Sequence, residues 1–372
     1  MFGALTAFGV LNAVLGPALP YLRAALGIDY VVGALHQVAF AVGGGLAGLY
    51  AGRSRGASRG TTVRVGLSIA GVACLAIGYG GTAVVTIFAA LVLSASATAA
   101  LIALWATLSD RHLARRAVAM TEGEVCVSFG GIVAALLVAA AAGRWDWRVA
   151  FAAAAVVTWA AVVGSLAVPI PRAAGQPVDA AAPAGSARPV LTLTVVFAIV
   201  ALEFGLSFWL ASYLDEDVGV ATETAAALVS ALYAANLVGR LVASRLARRW
   251  SAEALLLAAL GVAFVGLPVL LLAGNAAVAV VGMFVAGVGI AATFPLTSAI
   301  HVASSPRGAD RALGQVLLIA SAGQIVGPLM VAVVAQGAGL RVGMTTLLAL
   351  VVLAVVALAV HLRSARAGVS GG

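Results

Sequence analysis

Twelve runs of about twenty apolar residues follow one another along this chain, and each is long enough to cross a ~30 Å hydrocarbon core as an α-helix. The runs fall at about 2–22, 31–50, 61–79, 83–108, 117–142, 149–168, 191–214, 224–247, 252–273, 276–302, 312–338 and 341–362. Such a chain cannot fold around one water-soluble core. It is 63% hydrophobic and 9% charged, whereas soluble domains carry about 25% charged residues. A membrane β-barrel would need short alternating strands, and the unbroken Ala-, Leu- and Gly-rich runs predict an all-α membrane protein of twelve transmembrane helices instead. The first run is longer than a signal-peptide core and lacks a basic leader and a cleavage site, so it is expected to remain in the mature protein.

The 21 basic residues are all arginine. With both termini inside, 17 of the 21 fall on the inner side, and the outer loops keep only Arg23, Arg144, Arg148 and Arg341 beside Asp29, Asp146, Asp215, Glu216 and Asp217. Basic residues accumulate in cytoplasmic loops, so both termini are expected in the cytoplasm and the protein in the plasma (cell inner) membrane. The net charge of +8 is spread over short loops rather than gathered on one face, which argues against a nucleic-acid partner. Cys74 and Cys126 lie inside apolar runs and read as small hydrophobes. No metal cluster and no cofactor motif is visible, and the absence of GxxxxGK[ST] excludes ATP as the direct energy source.

Residues 169–190 hold five of the eleven prolines and read as an extended cytoplasmic linker. Across it the chain repeats itself. Ser128–Ala139 and Ser321–Ala332 share seven identities in twelve at an offset of 193, as do Arg148-Val149 and Arg341-Val342; Tyr21-Leu22 meets Tyr213-Leu214, and Ala51-Gly52-Arg53 meets Ala243-Ser244-Arg245, at 192. Four pairs agreeing on spacing and on place in the topology predict a duplicated six-helix bundle. The domains are therefore expected at 1–168 and 191–362, with a cytoplasmic tail at 363–372.

On these residues the chain resembles the major facilitator superfamily. Gly48-Leu-Tyr-Ala-Gly52-Arg53 looks like the family's loop signature after the second helix, with Gly52 where the family has aspartate. Gly239-Arg240-Leu-Val-Ala-Ser244-Arg245 is its second-half counterpart, and Asp146-Trp147-Arg148 resembles the start of the sixth helix. The resemblance implies two pseudo-symmetric six-helix bundles, a solute site near the midplane, and gating loops at Gly48, Arg53, Gly239, Arg240 and Arg245. Leu202–Leu214 is similar to the seventh helix of fucose-permease-like members, which makes sugars one candidate solute class. The fifth run lacks the Gly-Pro signature of drug antiporters, having Ala134-Ala135 where the eleventh has Gly327-Pro328.

A charge at the bilayer centre costs about 2.5–3.5 kcal/mol on insertion scales, so an ionisable residue there calls for a function. Glu203 lies near the middle of the seventh run, with Ser207 one turn later on the same face, and is expected to bind solute or carry a proton. Glu122 and Glu124 open the fifth run and point in opposite directions; Glu124 shares a face with Ser128 and Gly131, while Glu122 corresponds in the repeat to Gln315. Gln37, Asn236, Gln315 and Gln324 offer hydrogen bonds to a polar solute or to a neighbouring helix. Trp209 offers a ring for stacking or packing. His36 titrates near neutral pH when unperturbed, although a lone histidine there is commonly a packing residue. No paired midplane arginines appear, which disfavours organic phosphates and other dianions.

These residues predict a secondary transporter of a small solute working by alternating access, driven by a proton gradient and acting as a monomer in the bilayer. The competing readings are a proton-antiport exporter of amphipathic compounds and a non-transporting solute sensor. An enzyme is excluded, because the four histidines at 36, 112, 301 and 361 form no catalytic constellation.

Overall fold

The computed structural model describes residues 1–53, 58–111, 116–167, 189–304 and 309–370. The linker expected at 169–190 lies almost wholly outside the described residues. Among those described there is no strand. The twelve apolar helices are α1 (Phe2–Leu26), α2 (Tyr30–Tyr50), α3 (Arg59–Tyr79), α4 (Ala83–Arg111), α5 (Glu122–Arg144), α6 (Arg148–Leu166), α7 (Pro189–Glu216), α8 (Thr222–Leu246), α9 (Ala252–Leu271), α10 (Ala276–Ala303), α11 (Ala312–Ala338) and α12 (Leu340–Ser364). The last helix runs on to Ser370, through most of what the sequence reads as a tail. The proximal end of each helix is the one where odd-numbered helices begin, and the distal end is the one where they finish.

Helix starts obey elementary capping. Ser58, Ser251 and Asn275 accept from the backbone N–H of Thr61, Ala254 and Val278, and Asp29 accepts from Val32 N at 2.8 Å. Gly27 closes the end of α1 with φ of 61°, a left-handed conformation that glycine adopts without strain.

Two helices bend where hydropathy alone predicts continuous runs. α1 consists of Phe2–Ala13 and Leu15–Leu26, and α10 of Ala276–Ile290 and Thr293–Ser304. In both, a proline stands third in the second segment: Pro17 and Pro295. Proline has no N–H to give the carbonyl four residues back, and its ring crowds that carbonyl. Ala13 and Ala291 thereby lose their α-helical donors.

The chain packs as two compact units. The first comprises Met1–Gly175 and Phe208–Ala234, so it includes the distal part of α7 and the first half of α8; the second comprises Gln176–Ser207 and Ala235–Gly372. Each unit contains the same kind of helix crossing. In the first, a Cβ on Gly130 of α5 would sit 2.8 Å from the Cα of Gly9 in α1. In the second, a Cβ on Gly323 of α11 would sit 2.8 Å from the Phe197 carbonyl oxygen in α7, next to Ala201. Gly130 and Gly323 are repeat counterparts at 193, and Gly9 and Ala201 at 192. Small residues at these places let two backbones approach in a solvent that offers no hydrophobic drive for helix association. The duplicated sequence is thus expressed as a duplicated crossing in a fold of two pseudo-symmetric six-helix bundles.

Candidate functional site

At the distal end of the first unit, α1, α2 and α7 are joined by one charged cluster. Arg23 Nη1 donates to Glu216 Oε1 at 2.7 Å, and the Tyr30 hydroxyl donates to Glu216 Oε2. The Arg23 guanidinium lies over the Tyr30 ring at 3.9 Å and 5.7 Å from the Trp209 ring. Tyr30 and Trp209 meet with centroids 5.6 Å apart. Gly33 makes room, since a Cβ there would lie 3.2 Å from Arg23 Cδ. The Arg23 and Glu216 side chains keep 14% and 32% of their exposure. A half-shielded, charge-assisted contact of this kind is stronger than a surface pair and weaker than a fully buried one. Trp209, read from sequence as a ring for stacking or packing, is fully buried here, its rings in contact with Tyr30, Arg23 and Phe208.

One turn further along α2, on the face that carries Tyr30 and Gly33, Gln37 is 7% exposed and its Nε2 has no hydrogen-bond partner. His36 points elsewhere. It is fully buried, with Nδ1 3.1 Å from the Gly33 carbonyl and Nε2 2.8 Å from Thr86 Oγ1; a neutral ring that donates from Nδ1 and accepts from the threonine satisfies both nitrogens. Its role is to tie α2 to α4.

In α5, Glu122 is exposed, Glu124 is partly buried and Ser128 is buried. Gly131 serves close packing, because a Cβ there would come 2.6 Å from the Tyr233 ring of α8. Between α2 and α4, past their crossing at Gly43, a shallow, largely open apolar cleft of about 360 Å³ lies on the surface, lined by Leu46, Ala47, Tyr50, Leu91, Val92 and Ala95 among others.

In the second unit, Glu203 and Ser207 are both partly buried and lie one turn apart on α7. Glu203 stands about 160° around that helix from Ala201, the residue against which Gly327 of α11 packs. The glutamate therefore faces away from the α7–α11 crossing. Asn236 is 7% exposed with an unpartnered Oδ1, and Gln324 is partly buried. Gln315 lies near His301, whose Nδ1 lies 2.6 Å from Thr192 Oγ1.

Of the gating positions, Gly48 is exposed and Arg245 is exposed; the Arg53 side chain lies outside the described structure. Gly239 packs on Val288 and Ala291 of α10. Arg240 Nε donates to the Ala291 carbonyl oxygen at 3.4 Å, the carbonyl that Pro295 deprives of its helical donor. Arg240 thus braces the bend of α10.

Sequence reading passed over Tyr30 of the distal cluster, which only contacts from other helices mark out, and Asn12 of α1. Asn12 ends the last full turn before the bend of α1, and it is partly exposed while every residue from Ala7 to Pro20 is buried except Asn12 and Gly16. A polar side chain inside an apolar run, followed five residues later by proline, was the available signal.

The sequence profile of the Major Facilitator Superfamily matches residues 1–328. The chain belongs to the Major Facilitator Superfamily. Solved members share its fold over nearly the whole length. A bacterial homolog of the human lysosomal transporter Spinster is 16% identical, with 97% of this chain and 95% of that chain covered and a TM-score of 0.78. The peptide transporter POT, solved with sulfate, is 16% identical over 98% and 94% with a TM-score of 0.77. A variant of the nucleoside transporter NupG is 14% identical over 97% and 98% with a TM-score of 0.76. No curated protein sequence matches the chain. Membership of this superfamily makes the protein an integral membrane secondary transporter and not an enzyme.

Proposed function

We propose that this superfamily member is a proton-coupled carrier of a small polar solute, with Glu203 as the proton-carrying group. The observation that carries the reading is a single carboxylate, partly buried, in the middle of the 28-residue apolar helix α7. Desolvation makes such a group's protonation sensitive to its surroundings, so that a conformational change can load and unload it. Arginine placement supports assigning the proximal end to the cytoplasm and the distal end to the outside of the plasma membrane. On that assignment the Arg23–Tyr30–Glu216 cluster is the outer gate, closed in this state, and the duplicated bundles at 1–168 and 191–362 rock about it as a monomer. Spinster-like, peptide and nucleoside transporters on the same fold support a small-molecule cargo, and the likeness of α7 to fucose-permease-like members supports a sugar.

The apolar cleft between α2 and α4 favours a second reading, export of amphipathic compounds by proton antiport. The test is the pH outside lightly buffered vesicles carrying the purified protein, as sugars, polyols, nucleosides and amphipathic cations are added in turn. Solute-dependent proton movement, lost in Glu203→Gln, is the expected result. Proton movement unchanged by Glu203→Gln removes the glutamate from the coupling, and movement evoked only by amphipathic cations favours the second reading.

A further inference from the structure

We infer that the first unit carries a site for a neutral, hydroxyl- or amide-bearing solute, with Asn12 and Gln37 as its hydrogen-bonding residues. This deepens the proposed transport function and rests on it. Asn12 and Gly16 form the one accessible window in the middle of α1, a helix whose span is 72% buried. They flank the bend at Val14, where Pro17 strips the Ala13 carbonyl of its helical donor. Interrupted helices in transporters expose backbone acceptors beside side-chain donors, and solute sites form at such points.

Gln37 supplies the second contact. Its amide is enclosed yet Nε2 has no partner, and a buried amide left unpaired loses the hydrogen bonds that water would give. At 1.5 Å per residue Asn12 lies about 15 Å from the proximal end of α1 and Gln37 about 10 Å from the distal end of α2. They bracket the bilayer centre at depths roughly 10 Å apart. Directly distal to Gln37 is the Gly33 position that Arg23 and Trp209 cover, so the gate forms the roof of the site.

The charge distribution sets the solute class. Among the described residues of this unit, the carboxylates and guanidinium groups lie towards the two ends of the helices: Arg23, Asp29, Arg144, Asp146, Arg148, Asp215, Glu216, Asp217 and Glu223 distally, Arg59, Arg64, Asp110, Arg111, Glu122 and Glu124 proximally. Between those layers His36 has both ring nitrogens engaged. A charged solute at mid-depth would find no counter-charge on this unit. Two amides instead give donors and acceptors together, the pattern that matches hydroxyl and amide groups.

The experiment is thermal unfolding of the purified full chain with D-mannitol, D-galactose and uridine as neutral probes, tetraethylammonium as cation and citrate as anion. At least one neutral probe raises Tm, and its affinity falls about tenfold in Asn12→Ala and in Gln37→Ala, as expected for loss of one hydrogen bond in a shielded site. Asn12→Leu, which keeps the side-chain volume and removes both donor and acceptor, weakens the neutral probe similarly and guards against a packing defect in the alanine variant. Stabilisation by tetraethylammonium or citrate alone, by no neutral probe, or by a neutral probe whose affinity none of the three substitutions alters overturns the inference. Neutral binding that responds to these substitutions without proton movement in vesicles upholds the site and refutes the coupling.

Discussion

Replacing Glu216 by glutamine removes the charge from the distal cluster while leaving an acceptor for Tyr30. The Arg23–Glu216 contact at 2.7 Å corresponds to about 6 kcal/mol of Coulomb attraction at an effective dielectric of 20. Partial exposure of both side chains and the cost of desolvating them reduce the net contribution to about 1–2 kcal/mol. If the pair forms only in the closed gate, losing it raises the open population by roughly 5–30-fold. The reporter is Ser212→Cys in a Cys126→Ser background, because Ser212 is fully buried on the α7 face that carries Trp209 and Glu216 and the remaining Cys74 is buried. Labelling by a membrane-impermeant maleimide from the distal side should accelerate in proportion to the open population, in Glu216→Gln and in Arg23→Ala alike, and slow again when both are replaced by a hydrophobic pair. Labelling rates unchanged in both single variants would refute the assignment of this cluster as a gate.

Gly323→Leu should lower Tm steeply, since even its Cβ would stand 2.8 Å from the Phe197 carbonyl and overpacking costs about 1–3 kcal/mol or more; Gly130→Leu should do the same at the equivalent crossing. Pro295→Ala restores an N–H to the Ala291 carbonyl and should straighten α10, raising Tm while slowing transport measured in vesicles. His36→Leu should cost stability by about 1–2 kcal/mol through the lost tie to Thr86, read as a lower Tm, and should leave the pH profile of transport in place.

The twelve spans and the repeat were legible because both are written in local pattern: apolar runs long enough to cross a bilayer, and Ser128–Ala139 against Ser321–Ala332. The bends were only half legible. Pro17 and Pro295 stand in the sequence, but each sits in a run whose hydropathy does not falter, so a window average passes over them and over Asn12. The Arg23–Glu216 contact was not legible, because the two residues are 193 positions apart and each reads separately as an interfacial charge. Trp209 shows the same limit, since Arg23 and Tyr30, which cover it beside Phe208, come from α1 and α2. Arg240 reads as a gating or interfacial cation, and its bond to the Ala291 carbonyl could not be added from sequence, because the proline that frees that carbonyl lies 55 positions later in the chain. Glu203 stands out in the sequence because the cost of a carboxylate in the bilayer depends on depth alone, and the fold leaves it partly buried in α7.

The most direct test of the account is accumulation of a neutral solute in proteoliposomes under an imposed pH gradient, with the solute chosen as the probe that stabilises the purified protein. The account predicts movement of solute against its concentration gradient in the wild-type protein, abolished when the pH gradient is collapsed and abolished in Glu203→Gln while binding remains. Accumulation that is indifferent to the pH gradient, or that survives in Glu203→Gln, would contradict it.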